Sequence, residues 1–211
     1  RRKNHRARNR YVGRIVIHGD SLEYEFLENA VKALSNPIGA SVEIGVRKGY
    51  GSAMIINSYR KYHPKIDLVH LGIDPYGNIE YMTEENRKVR LDYTNKMKQE
   101  CIKDFADIPE FHMVNLEDTE FFKRFADGYP VYNEYKKMIT EYEIVHFDGP
   151  HDLKSVINEV EFFARRLAPE AVFIFDDIKN FDIDKVGKTI IDWGFKEYDK
   201  GERKRSFIYK A

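Results

Sequence analysis

Three aspartates stand where two apolar runs end. EIVHFD (143–148) closes on Asp148 and continues as Gly149-Pro150-His151-Asp152, while AVFIFDD (171–177) closes on Asp176 and Asp177. Asp148 and Asp176 are 28 residues apart, about the length of a strand–helix–strand unit. Adjacent parallel strands would therefore set three carboxylates at one edge of a sheet. Carboxylates so close repel one another and rise in pKa unless a cation neutralises them. Oxygen-only ligands suit a hard ion such as Mg2+, which keeps several waters that a substrate can displace. The alternative is a set of exposed turn and cap residues on a generic α/β sheet.

A second candidate site precedes it. The run ASVEIGV (40–46) leads into RKGYGS, so Glu43 is followed by Gly45, Gly49, Gly51 and Ser52. Glycines allow a tight strand-to-helix turn and let a ligand come close to the backbone. DLVHLGID (67–74) ends on Asp74-Pro75, and a carboxylate there can accept hydrogen bonds from both hydroxyls of a ribose. Each feature alone also reads as a structural turn. The glycines do not follow G-x-G-x-x-G, and G-x-x-x-x-G-K-[ST] is absent, which argues against a dinucleotide fold and a P-loop NTPase.

The elements that must position these residues alternate along the chain. Residues 21–35 carry apolar residues at helical spacing after Asp20-Ser21, a plausible cap. Strands are expected at 40–46, 67–74, 110–115, 143–148 and 171–177. Helices are expected at 53–62, 83–105, 117–126, 153–168 and 183–192. Residues 75–82 read as a loop, 128–142 as a Tyr-rich helical insertion, and the stretch from Gly194 to Ala211 as a final hairpin. This alternation predicts an α/β fold: a Rossmann-like, doubly wound, mostly parallel sheet with a C-terminal antiparallel hairpin. Ligands of such sheets bind at the carboxyl ends of the strands, near the switch point.

With these motifs in place, EIGVRKGYGS and LGIDPYG resemble the first two motifs of class I S-adenosylmethionine (SAM)-dependent methyltransferases. The resemblance implies SAM as cofactor, with Gly45, Gly49 and Ser52 bordering its methionine part. It also implies that Glu43 orders the loop and Asp74 holds the ribose. Glu117 or Asp118, just past the third strand, is the adenine candidate; an acid at a helix N-terminus is the competing structural reading. D-G-x-H, FDD and GIDP are similar to the metal-dependent O-methyltransferases over roughly residues 40–178. The closer type is the macrocin/cephalosporin-hydroxylase-associated one, with the catechol type more distant. By that match Asp148, Asp176 and Asp177 are the metal ligands, with Mg2+ the expected ion. In catechol-type enzymes a lysine matching His151 deprotonates the substrate, which makes His151 the general-base candidate. Imidazole suits that role because its pKa lies near neutrality. The other reading of His151 is a cap-region residue of helix 153–168, and Asp152 could share or replace its role.

The chain has 211 residues, 42% of them apolar, enough for one substantial core and against global disorder. We expect a basic arm at 1–14 and a single methyltransferase domain at 15–211. The arm holds seven bases and no acid, leaving 28 bases and 35 acids in the remainder. It is either a solvated tail or a contact for nucleic acid or an acidic partner. One cysteine, Cys101, fits a reducing cytosol and hence cytoplasmic placement. No apolar run approaches a membrane span. The expected activity is Mg-assisted O-methylation of a small-molecule or sugar hydroxyl. The alternatives are a metal-independent enzyme, an RNA- or protein-directed methyltransferase, and a non-catalytic SAM-binding module. Homo-oligomerisation stays open. Tyr76, Tyr81, Tyr129 and Tyr132 are candidate pocket residues or packing residues.

Overall fold

The computed structural model describes residues 15, 17, 19, 21–83, 85–90, 93–132 and 135–211. The basic arm and Asp20 lie outside the described residues. In chain order the elements are α1 (Glu25–Lys32), β1 (Ala40–Ile44), α2 (Tyr50–Tyr62), β2 (Val69–Ile73), β3 (Glu80–Met82) and β4 (Lys88–Arg90). They continue as α3 (Asn95–Asp104), β5 (Phe111–Val114), α4 (Asp118–Arg124), β6 (Tyr129–Tyr132), β7 (Lys136–Ile139) and β8 (Tyr142–Phe147). The last are α5 (Leu153–Ala164), β9 (Leu167–Phe175), α6 (Ile183–Asp192), β10 (Lys196–Lys200) and β11 (Arg205–Lys210).

Seven strands form one sheet in the order β10-β11-β9-β8-β1-β2-β5. The five central strands pair in parallel, and β11 runs antiparallel to both β9 and β10, as the expected fold requires. The chain winds outward through β2 and β5, then returns to place β8 on the other side of β1. The switch point therefore lies between β1 and β8, whose onward connections run toward opposite edges of the sheet so that a ligand cleft can open.

Side chains alternate across each strand, and the two faces carry different cores. Val42, Ile44, Val145, Phe147, Phe173 and Phe175 pack against Phe121 of α4, Val160 and Phe163 of α5 and Ile190 of α6. Ile144, Val172 and Ile174 pack on the opposite side against Leu27 and Val31 of α1, Ile55 and Ile56 of α2 and Cys101 of α3. The intervening positions on this second face are polar near the strand ends: Ser41, Glu43, His70 and His146, all fully or almost fully buried.

Five local expectations are corrected. Residues 83–105 are not one helix. They contain β4, paired antiparallel with β3, and helix only from Asn95, where Thr94 Oγ1 accepts the Met97 N–H at 3.1 Å. That cap fixes the start of α3. The loop expected at 75–82 contains β3. The insertion 128–142 is a hairpin, β6–β7, rather than a helix; Val131 and Ile139 are buried while Tyr132 and Met138 are exposed. Its β-branched and aromatic residues suit a half-buried ribbon better than a helix. Helix 153–168 ends at Ala164 because β9 starts at Leu167, pairing with Tyr142. The N-cap of α1 is Tyr24, and Ser21 has another partner, described below.

Candidate active site

The turn after β1 is built by backbone. Gly45 adopts φ +84°, and a Cβ there would stand 2.0 Å from the Asp148 carbonyl oxygen. Only glycine lets the β1 and β8 exits approach so closely. Asp148 N–H donates to Ile44 O at 2.9 Å, and Gly45 N–H donates to Ile73 O at 2.9 Å, which locks three strand exits together. Gly49 is the N-cap of α2 and packs toward Phe105 and Cys101. Gly45 and Gly51 line the cleft.

Beneath the turn runs a buried hydrogen-bond chain. Glu43 Oε1 is 2.9 Å from His146 Nδ1, and Glu43 Oε2 accepts from Ser52 Oγ. Ser52 Oγ is 2.9 Å from His70 Nε2, whose Nδ1 is 2.8 Å from Ser41 Oγ. Glu43 therefore orders the loop from below. Ser52 does not border the cleft as the motif implied. Because α2 starts at Tyr50, position 52 turns inward to the sheet, and Gly51 takes the cleft-facing place. The chain joins β1, β2, β8 and α2, so removing any member leaves its neighbour in the chain short of a partner.

One half of the cleft lies over β1, β2 and the start of α4, lined by Gly45, Asp74, Tyr93, Glu117, Asp118 and Pro150. Asp74 is buried, and its two oxygens accept the N–H groups of Arg47 at 2.8 Å and Tyr76 at 3.0 Å. Each oxygen retains acceptor capacity toward the cleft. Burial raises the Asp74 pKa to about 6, against the lowering effect of those amides. Glu117 is raised by burial and then by Asp118 and Glu120. Tyr76 is buried, donating its hydroxyl to Arg47 O at 2.6 Å, and Tyr129 packs among Phe121 and Phe125. Tyr132 is exposed, and the Tyr81 side chain lies outside the description. The tyrosines that do line the cleft are Tyr24, Tyr50 and Tyr93; only a pocket whose walls are known identifies them.

The other half lies over β8 and β9. Asp148 and Asp177 face His151, whose Nε2 is 3.8 Å from Asp148 Oδ1 and 3.6 Å from Asp177 Oδ2. Donor atoms of these three residues all lie within 4.8 Å of one another, close enough to surround one ion. Asp176 lines the same corner, with both oxygens already bonded. Its Oδ1 accepts the Asp177 N–H at 2.7 Å, and its Oδ2 accepts from Ser21 Oγ at 3.1 Å and from Lys204 Nζ. Arg203 pairs with Asp177 Oδ1. Sequence reading missed these two bases. The signal was present as Arg203-Lys204-Arg205 in the expected hairpin, but the register against β9 was needed to place them.

Electrostatics follow the geometry. Asp148 is raised well above the carboxylate range by burial in the cleft, then by Asp176 and Glu43. Burial also pushes Asp176 upward, but His146 and Lys204 outweigh it and hold Asp176 below its ordinary value. His151 is lowered by burial, against the pull of Asp177 and Asp176, which favours the neutral imidazole, the form able to take a proton. The cap of α5 is Asp152, which accepts the Ser155 N–H at 3.2 Å; His151 is not needed for that task.

Comparison with known proteins was made on this geometry. Residues 42–178 match a family model described as a methyltransferase domain. No curated protein matches the chain by sequence. The O-methyltransferase NovP superposes with a TM-score of 0.61 at 13% identity, over 89% of this chain and 79% of that one. The calicheamicin methyltransferase CalS11 gives 0.56 at 13% identity, over 87% and 76%. A putative caffeoyl-CoA O-methyltransferase from Staphylococcus aureus gives 0.54 at 14% identity, over 93% and 86%. At these identities the solved structures establish the fold. The family match spans both halves of the cleft and most of the sheet, and the chain belongs to the methyltransferase-domain family as a class I SAM-dependent methyltransferase.

Proposed function

We propose that this enzyme transfers the SAM methyl group to a hydroxyl oxygen of a small molecule or sugar. The observation that carries the reading is the junction at Asp148. There a cleft suited to adenosine, with Asp74 at its wall, runs into an acidic corner that holds His151. Asp74 accepts from the ribose hydroxyls, Glu117 or Asp118 meets the adenine, and Gly45 and Gly51 let the methionine part approach the backbone. The sulfonium methyl is already activated, so the protein supplies alignment rather than a nucleophile. The acceptor oxygen bonds to the methyl carbon as the carbon–sulfur bond breaks. S-adenosylhomocysteine leaves, and the hydroxyl proton passes to His151.

Asp148, Asp177 and His151 have the spacing to hold a divalent ion such as Mg2+, and Asp148 and Asp177 supply its oxygen donors. Such an ion, when bound, would lower the pKa of a hydroxyl placed beside it. His151 as base and His151 as ligand exclude each other, so in this reading the carboxylates hold the ion and the imidazole keeps its free face. The names of the solved O-methyltransferases, NovP and the caffeoyl-CoA enzyme, agree with oxygen as the acceptor atom.

The test is a transfer assay with SAM carrying a 13C methyl group and a panel of catechols, sugars and nucleotide sugars. Formation of an O-methyl product with stoichiometric S-adenosylhomocysteine is expected. Methyl transfer to nitrogen alone, or to RNA alone, would reject the assignment.

A further inference from the structure

Lys204 is the one fully buried lysine among the described residues, and it sits at the edge of the acidic corner. Three independent sets of contacts put it there. The first is sheet register. Arg205 pairs with Phe175 in the antiparallel β9–β11 ladder, so the next rung sets Lys204 opposite Asp176, and Ile178 N–H donates to Arg203 O at 3.1 Å. The second is a grip on the β10–β11 turn. The Glu23 carboxylate accepts the N–H groups of Glu202, Arg203 and Lys204 at 2.8, 3.0 and 2.8 Å. The third surrounds the ammonium itself. Nζ pairs with Asp176, lies 3.3 Å from Ser21 Oγ and sits 4.9 Å from the Tyr24 ring centroid. A lysine so placed is part of the framework rather than a mobile surface base.

We propose that Lys204 is a resident cation that withholds Asp176 from divalent metal, and so sets the metal affinity of this site. The inference rests on the reading that the acidic corner accepts a divalent ion. The resemblance in sequence implied three aspartate ligands. In the folded chain both Asp176 oxygens are already engaged, whereas Asp177 gives Oδ1 to Arg203 and keeps Oδ2 on the side of Asp148 and His151. Affinity of oxygen sites for hard ions depends on how many charged ligands they offer. Taking one carboxylate out of the set leaves a weaker site. The same ammonium supplies a fixed positive charge to the corner when no metal is bound.

Mn2+ binding, followed by calorimetry or by the loss of its free EPR signal, tests this without reference to turnover. Lys204→Met should bind Mn2+ roughly tenfold more tightly than the unaltered protein, because Asp176 is released. The double variant K204M/D176N should lose that gain. A second measurement is independent of whether K204M folds: Asp176→Asn alone should leave Mn2+ affinity within about twofold, while Asp148→Asn and Asp177→Asn should weaken it. Loss of Mn2+ binding in D176N would overturn the proposal, as would unchanged or weaker binding in a K204M protein that still binds SAM. Tight Mn2+ binding by the unaltered protein with no gain in K204M would sink this inference and leave metal assistance standing. No Mn2+ binding by any variant would remove both, and the 13C transfer assay would judge O-methylation separately.

Discussion

Over β1 and β2 the cleft is made of backbone. Gly45 and Gly51 clear space, Asp74 is held by two main-chain amides, and the supporting Glu43–Ser52–His70 chain lies under the turn. Over β8 and β9 it is made of side-chain charge, where Asp148, Asp176 and Asp177 meet His151, Arg203 and Lys204. The first half offers fixed dipoles to a cofactor that differs little from one enzyme of this type to another. The second offers charges whose balance a single substitution can change. Binding and chemistry are thereby separable, and each half can be perturbed without the other.

The largest effect is expected at His151. His151→Ala should lower kcat by about 10²–10⁴-fold, the usual contribution of a general base, with SAM affinity unchanged. Activity should recover partly at high pH, where the acceptor hydroxyl ionises without help. A variant with normal turnover at neutral pH would end the role of His151 and with it the division between the halves. Next is the stability of the charged half. Lys204→Met leaves Asp176 buried beside no cation and should cost about 3–5 kcal/mol, read as a lowered Tm, with much of the loss restored in K204M/D176N. An unchanged Tm in K204M would show that the pair is not coupled to folding.

Smaller changes are expected on the backbone-built side. Asp74→Ala should weaken SAM binding by about 1.5–3 kcal/mol, the scale of hydrogen bonds to a charged acceptor, while leaving Mn2+ binding alone. Calorimetry showing equal SAM affinity would move the ribose elsewhere. The smallest effect is a pH dependence. The Asp74 pKa in the free protein is raised to about 6, and the ionised carboxylate is the better acceptor for ribose. Protonation therefore competes with SAM: affinity is full above pH 6 and falls below it, by roughly tenfold between pH 7 and pH 5. Asp74→Asn should flatten this profile, and an unaltered slope in that variant would assign it to another group.

The two halves were also unequally legible in the sequence. Glu43, Gly45, Asp74, Asp148 and Asp177 sit near the places their spacing implied, because each lies within a few residues of a strand end and strand ends converge in a doubly wound sheet. Ser52 lies one position of helical phase beyond the cleft-lining Gly51 and bonds Glu43 and His70 beneath the turn. Lys204 was out of reach for a different reason. Its partner is 28 residues away across an antiparallel ladder, and register between distant strands leaves no periodic trace. The β6–β7 hairpin has few inward positions, Val131 and Ile139, and the apolar residues beside them, Tyr132 and Met138, face outward, which hides the period of two.

The grip of Glu23 on residues 202–204 joins segments about 180 residues apart, with Ser21 reaching Asp176 from the same side. In order of synthesis the acids come first and their counter-charges last. As the chain emerges, Asp148, Asp176 and Asp177 are present before Arg203 and Lys204, and they stay uncompensated until β11 docks on β9. The Glu23 grip joins the two ends of the chain, so it forms only after β10 and β11 have been made. The acidic corner is thus the last part of the cleft to be completed. A nascent or C-terminally clipped chain would hold a backbone-built cofactor wall beside an open, more anionic corner, one that collects cations more readily than the finished enzyme does.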